Sequence, residues 1–132
     1  MQDEIKAVVE VSSAGSDAET LTFPQVLQNL AYVGVERYHA DLQRSEKTFY
    51  LPDGQSHVVR SKAVAGKVAS AFDASGVEAA IRAVQKREIG YGQFCERIVA
   101  AGCASYVVSL SGRRAVYYGR TGESFVEAFP AQ

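Results

Sequence analysis

The sequence predicts an α+β protein made of two copies of one α-β-β-β unit, with a mainly antiparallel sheet, helices packed on one face and a pseudo-twofold relation between the copies. Three observations carry this prediction. The chain matches itself without a gap at an offset of 68 residues, each apolar helical stretch begins with capping residues or glycine, and a period-two pattern follows each helix-stopping glycine.

The match aligns Phe23–Val58 with Tyr91–Val126, 36 positions in all. Eight pairs are identical: Gln25/Gln93, Gly34/Gly102, Tyr38/Tyr106, Leu42/Leu110, Tyr50/Tyr118, Gly54/Gly122, Ser56/Ser124 and Val58/Val126. Chance would give about two, at roughly one match in sixteen for average composition. Phe23/Tyr91 and Phe49/Tyr117 keep aromatic character, while Val26/Phe94, Leu30/Ile98 and Val35/Cys103 keep apolar character.

Asp3–Val11 has the composition of a first helix, and Ser12–Glu19 is small and polar enough to be a loop. Thr22 lies three residues before Gln25, which is capping-box spacing, and Pro24 suits a first helical turn. Gly90 occupies the Thr22 position in the second copy, a weaker cap. Val26, Leu27, Leu30 and Ala31 form a helical face, matched by Phe94, Cys95, Ile98 and Val99. Gly34 and Gly102 fall where each helix should stop, because glycine enters the left-handed region without a Cβ clash.

Strand alternation comes next. Tyr38, Ala40 and Leu42 share one face, and Arg37, His39 and Asp41 the other. Tyr106, Val108 and Leu110 stand against Ser105, Val107 and Ser109 in the second copy. Polar turns at Gln43–Glu46 and Ser111–Arg114 lead to strands at Thr48–Leu51 and Ala115–Tyr118. Turns at Pro52–Gly54 and Arg120–Gly122 lead to strands at Ser56–Val59 and Ser124–Ala128. Such short connections make each set of three strands an antiparallel meander. Between the units, Ala63–Phe72 has an Ala/Val helical pattern, and Gly76–Arg87 carries the apolar stripe Val77, Ala80, Ile81 and Val84. The expected organisation is a single domain over residues 1–132. Unit one covers about 20–60, connecting helices about 61–88, and unit two about 88–130. The sequence leaves open whether the meanders join into one sheet or face each other as two.

Composition narrows the function. A 47% hydrophobic and 22% charged chain is that of an ordinary soluble globule. Net charge is -1, from 14 basic and 15 acidic residues, which argues against a nucleic-acid binder. Cys95 and Cys103 are too few for a disulfide framework. The N-terminal residues do not form a signal peptide, and no apolar run approaches the ~18 residues of a membrane span. A cytoplasmic protein with no membrane partner is expected.

The chemistry-bearing residues are few. His39 and His57 are the two histidines, and a meander placing His39 opposite about Tyr50, with His57 one strand further, separates them by roughly 10 Å, too far to share a zinc ion. No metal site and no cofactor is expected. Cys95, on the apolar helix face, and Cys103, at the Val35 position, read as small buried hydrophobes. Gly119–Gly122 lacks the lysine and following helix of a phosphate loop and reads as a turn. Arg113, Arg114 and Arg120 sit in turns at opposite ends of one strand, partly neutralised by Glu123 and Glu127. The pairs Phe49-Tyr50 and Tyr117-Tyr118 must point to opposite sheet faces, so one ring of each leaves the core or is covered by another layer.

Tyr91, Phe94, the stretch Ala101-Gly102-Cys103, Tyr106, and the run Tyr117-Tyr118-Gly119-Arg120-Thr121-Gly122-Glu123 leading to Val126-Glu127-Ala128-Phe129-Pro130 resemble the YdfO-like family of small bacterial and prophage-encoded proteins. Phe23-Pro24, Gly34-Val35, Tyr38 and Asp41-Leu42 are similar to that family's N-terminal half, so the resemblance covers residues 20 to 130 or so. It implies an α+β fold and no particular activity.

Two functional expectations follow. The first is a non-catalytic binding or protein-interaction module of bacterial or prophage origin, working as a homodimer or with a protein partner. Its binding candidates are Arg37, His39, Tyr50, Tyr118, Arg120 and Glu123. The alternative is a small enzyme at the cleft between the units, motivated by Arg37, His39 and Asp41 replacing Ser105, Val107 and Ser109, with His39 as general base oriented by Asp41 or a cross-strand acid.

Overall fold

The computed structural model describes residues 1–130. In chain order the elements are α1 (Asp3–Asp17), α2 (Phe23–Tyr32), β1 (Arg37–Asp41), β2 (Glu46–Tyr50), β3 (Ser56–Arg60), α3 (Ala74–Gln85), α4 (Tyr91–Ala100), β4 (Cys103–Ser109), β5 (Arg114–Gly119) and β6 (Ser124–Ala128). Each half therefore runs α-α-β-β-β, one helix more than the α-β-β-β unit read from the sequence. The strands join into one six-stranded sheet in the order β3-β2-β1-β4-β5-β6, antiparallel throughout.

Local chemistry sets the ends of α2. Thr22 accepts a hydrogen bond from the Gln25 amide while the Gln25 side chain accepts from the Thr22 amide, completing the capping box. At the other end Gly34 adopts φ 84°, its amide donates to Ala31 O, and the Val35 amide donates to Leu30 O. Gly102 plays the same part after α4, with φ 91° and its amide on Val99 O. Gly90, at the head of α4, offers no side-chain cap. That need is met from a distance, by Glu19 Oε2 accepting from the Gly92 amide. A carboxylate at a helix N-terminus is favoured by the helix dipole as well as by the hydrogen bond.

The core lies between the helices and one face of the sheet. Tyr38, Ala40, Lys47, Phe49, Tyr106, Val108, Ala115 and Tyr117 are buried, all on that face, and meet Leu30, Val77, Ile81, Phe94 and Ile98 from the helices. An aromatic chain crosses the middle of the sheet: Phe49 to Tyr38 at 5.0 Å between centroids, Tyr38 to Tyr106 at 6.4 Å, and Tyr106 to Tyr117 at 5.3 Å. These tilted and edge contacts avoid the face-to-face sandwich that the ring quadrupoles disfavour. No helix among the described residues is long and apolar enough to cross a membrane.

Two local expectations are corrected. Residues 12–17 continue α1 rather than looping, because their small side chains permit close approach of α1 to the chain entering α2. A Cβ on Gly15 would lie 2.5 Å from Leu21 Cδ1, and buried Ser12 accepts a hydrogen bond from Asn29 of α2. Residues 63–72 form no helix. Gly66 takes φ 92°, and the amides of Ala69 and of Asp73, the residue just after the segment, donate instead to carbonyls at the end of α4, Val99 O and Ala101 O. The Ala/Val-rich pattern of 63–72 suggests a helix, yet Val64, Val68 and Phe72 reach the core from irregular backbone.

Candidate functional site

None of the described helices packs on the second face of the sheet. Alternation sends every second strand residue there, and the register arranges them in three rows across all six strands. The middle row is Val58, Thr48, His39, Val107, Val116 and Val126. One flanking row is Arg60, Glu46, Asp41, Ser105, Tyr118 and Ser124; the other is Ser56, Tyr50, Arg37, Ser109, Arg114 and Ala128. The middle row is thus a line of valines interrupted by Thr48 and His39, between two largely polar margins. Its outer valines stand well into solvent, Val58 at 53% and Val126 at 49% exposure. Tyr118 is 38% exposed, whereas its neighbour Tyr117 is buried. Tyr50 is half-buried and Phe49 is buried. Each adjacent aromatic pair is therefore split between the faces.

Arg37, His39, Asp41, Tyr50 and Tyr118 come together on this open face. Arg37 stacks over the Tyr50 ring, its guanidinium carbon 4.0 Å from the centroid, and its Nε donates to Glu36. Arg44, in the β1–β2 turn, pairs with Glu46 at 2.9 Å. Asp41 Oδ1 accepts from the Gln43 and Arg44 amides, so it caps that turn rather than orienting His39. The cross-strand neighbours of His39 are Thr48 and Val107, neither of them an acid. The expected position opposite Tyr50 belongs to Arg37, two residues earlier, because β2 begins at Glu46 rather than Thr48. His57 pairs across from Phe49 and so lies on the helix side, where Nε2 contacts Glu10 of α1 at 2.9 Å. The two histidines are separated by the sheet itself, a stronger separation than strand spacing alone.

Arg120 and Glu123 lie elsewhere, in the β5–β6 turn. Arg120 Nη1 donates to Val68 O and pins the 63–72 segment, while Glu123 accepts from Thr121. Thr121 holds the Glu123 carboxyl below its usual range. Glu127 does not neutralise the arginine turns. It faces the helix side and forms a paired contact with Arg82 of α3, at 2.8 and 3.2 Å, which lowers its pKa. Arg113 donates to Pro130 O.

The charged group that sequence reasoning missed is Lys47. It points inward from β2 and is only 4% exposed. Its Nζ lies 3.8 Å from Asp17 Oδ1 and 4.6 Å from the centroid of Tyr91, so one carboxylate and one ring face replace the lost water. Burial lowers its pKa, against the opposing pull of Asp17. Lys47 comes from the first half and Tyr91 from the second, so the amine sits at the seam between them. The adjoining cavity, bordered by Ser61, Tyr91 and Cys95, measures about 20 Å³, room for one water molecule and no substrate. Alternation does place Lys47 on the core face, and that is the signal that could have found it.

Cys95 and Cys103 are buried, and burial raises their thiols to about 11 and about 12. Neither is a thiolate nucleophile at neutral pH. No group of three or more His, Cys, Asp or Glu residues among those described converges as a metal site.

The site is thus a bare antiparallel sheet face on an α+β protein. A family model for a protein of unknown function, DUF1398, matches residues 13–127, and the chain belongs to that family. No curated protein matches the chain.

Proposed function

We propose that the protein is a non-catalytic interaction module that docks a protein partner on its open sheet face. The observation that carries this is the row of Val58, Val107, Val116 and Val126, broken only by Thr48 and His39, left without a covering layer and framed by Tyr50, Tyr118 and charged residues. The solvated face of an antiparallel sheet normally alternates to polar residues, so exposed valines rimmed by polar groups there are characteristic of docking surfaces. The resemblance to the YdfO-like family supports a bacterial, prophage-related origin. Duplication of an α-β-β-β unit is supported by the β1–β4 register, in which His39 pairs with Val107, the residue 68 positions later.

The test replaces Tyr50 and Tyr118 together by serine. Association measured by sedimentation, or recovery of co-purifying partners, should fall at least tenfold while the far-UV spectrum is retained. Replacing Tyr32, 91% exposed on the helical side, should change neither. Unchanged association together with unchanged partners in the double variant would refute the proposal.

A further inference from the structure

We propose that the occupant of the open face is a second copy of this chain, packed sheet to sheet about a twofold axis that runs along the Val58–Val126 row. This deepens the interaction reading and rests on it.

The charge pattern selects the axis. A closed pair of identical faces must be self-complementary. Two simple placements exist. With the axis parallel to the strands, each row meets itself with strand order reversed: Asp41 faces a serine, Ser105, and Arg37 faces Ser109. With the axis along the middle row, strands stay opposite their own copies and the two margins exchange. Asp41 then meets Arg37 of the other copy, and Tyr118 meets Arg114. Like charges are not opposed in either margin, and every middle-row valine meets its own counterpart on the axis. Glu46 meets a tyrosine and Arg114 a tyrosine ring in either placement, so the difference lies at Asp41, which the second joins to Arg37 and the first leaves opposite a serine.

Distances permit these contacts. Sheets stacked face to face lie about 10 Å apart, a gap filled by side chains from both. Aligned sheets cross at about 30°. Asp41 and Arg37 stand about 7 Å from the row, so that rotation displaces them by about 4 Å, within the reach of an arginine. Arg37 is already extended over Tyr50, with its side chain 43% exposed. The footprint is modest. Six strands at ~4.8 Å by five residues at ~3.4 Å give roughly 490 Å² of flat area per copy. This falls below the ~800 Å² per partner of a standard interface, so the dimer should exchange with monomer rather than persist.

The experiment is sedimentation velocity on the full chain across a wide concentration range. Wild type should pass from monomer to dimer. Arg37→Glu and Asp41→Lys should each remain monomeric at concentrations where wild type is dimeric, since both contacts become repulsive. Their equimolar mixture should regain the dimer mass, because mixing makes both contacts attractive again. Asp41 also caps a turn, so a second pair avoids it. His39 faces itself across the axis, so His39→Glu and His39→Lys should each dissociate alone and associate when mixed. A wild-type chain that stays monomeric throughout overturns the twofold pairing, as do mixtures that fail to recover while each variant keeps its wild-type urea midpoint. A monomeric chain that still loses a partner on the Tyr50/Tyr118 double replacement overturns self-pairing and leaves the interaction proposal standing.

Discussion

Gly34 and Gly102 occupy matching positions after α2 and α4, adopt nearly the same backbone, and should respond differently to alanine. Both have positive φ, 84° and 91°. A side chain there costs roughly 1–2 kcal/mol from the Cβ–carbonyl contact alone. At Gly34 nothing lies within 4 Å of the added Cβ, so the cost should stop there. At Gly102 the Cβ would fall 2.2 Å from the Ala71 carbonyl oxygen and 2.9 Å from Phe72 Cα. Those are backbone atoms and must move as a segment. Moving them strains two hydrogen bonds, Ala69 N to Val99 O at 3.2 Å and Asp73 N to Ala101 O at 2.7 Å. At about 1 kcal/mol each, their loss brings the total for Gly102→Ala to about 3–4 kcal/mol, against about 1–2 for Gly34→Ala. Urea titrations followed by far-UV circular dichroism, with m-values compared, measure both. Equal costs at the two sites would refute the claim that residues 63–72 lie against the end of α4.

Two further outcomes follow from the buried ionisable groups. Lys47→Met should leave stability within about 1 kcal/mol of wild type or raise it, whereas Asp17→Ala, which strands the buried amine, should cost about 3–5 kcal/mol by the same titration; the reverse order would show that Asp17 is not the partner of Lys47. Stability should also fall as pH rises above about 9. Cys95 and Cys103 are raised from 9.0 to about 11 and about 12, and Tyr38, Tyr91, Tyr106 and Tyr117 are raised from 10.0, all chiefly by burial. Raised folded-state values mean that the unfolded chain releases these protons first, so their contribution is complete below pH 9 and lost above it. Lys47, lowered from 10.5, works in the opposite sense over part of that range, one group against six. A urea midpoint constant from pH 8 to 11 would contradict this burial.

What the sequence revealed depended on how locally each feature was encoded. The Thr22–Gln25 capping box, the glycine stops and the strand alternation involve residues a few positions apart, and all appear as read. The segments misread were those whose partners are remote. Residues 12–17 looked like a loop because small polar residues favour loops, yet Gly15 and Ser12 were small so that α1 could sit against Leu21 and Asn29. The 63–72 segment looked helical by its Ala/Val pattern, but the Ala69 amide is claimed by Val99 and the next one along, Asp73, by Ala101. Similarly, the Gly90 cap deficit was visible, while its remedy in Glu19, 73 residues before Gly92, was not. For the candidate site, the faces of Arg37, His39, Asp41, Tyr50 and Tyr118 followed from alternation. Their assembly into rows required the β1–β4 pairing that joins the meanders into one sheet, and the sequence left that choice open.

That pairing also bears on how the chain assembles. Of the five strand ladders, four link neighbours in the chain through short turns, and only β1 with β4 joins strands more than 60 residues apart. Hairpins form in roughly 1–10 μs, whereas closing a long loop carries an entropic penalty before any contact rewards it. Each meander can therefore take shape by itself, with the Arg37–Asp41 and Ser105–Ser109 edges exposed until they zip together. During that interval the two edges are open templates, and the β4 of a neighbouring chain offers β1 the same ladder as its own. Release from synthesis at high local concentration would then favour exchange of whole halves between chains, a route to entangled dimers distinct from face-to-face docking.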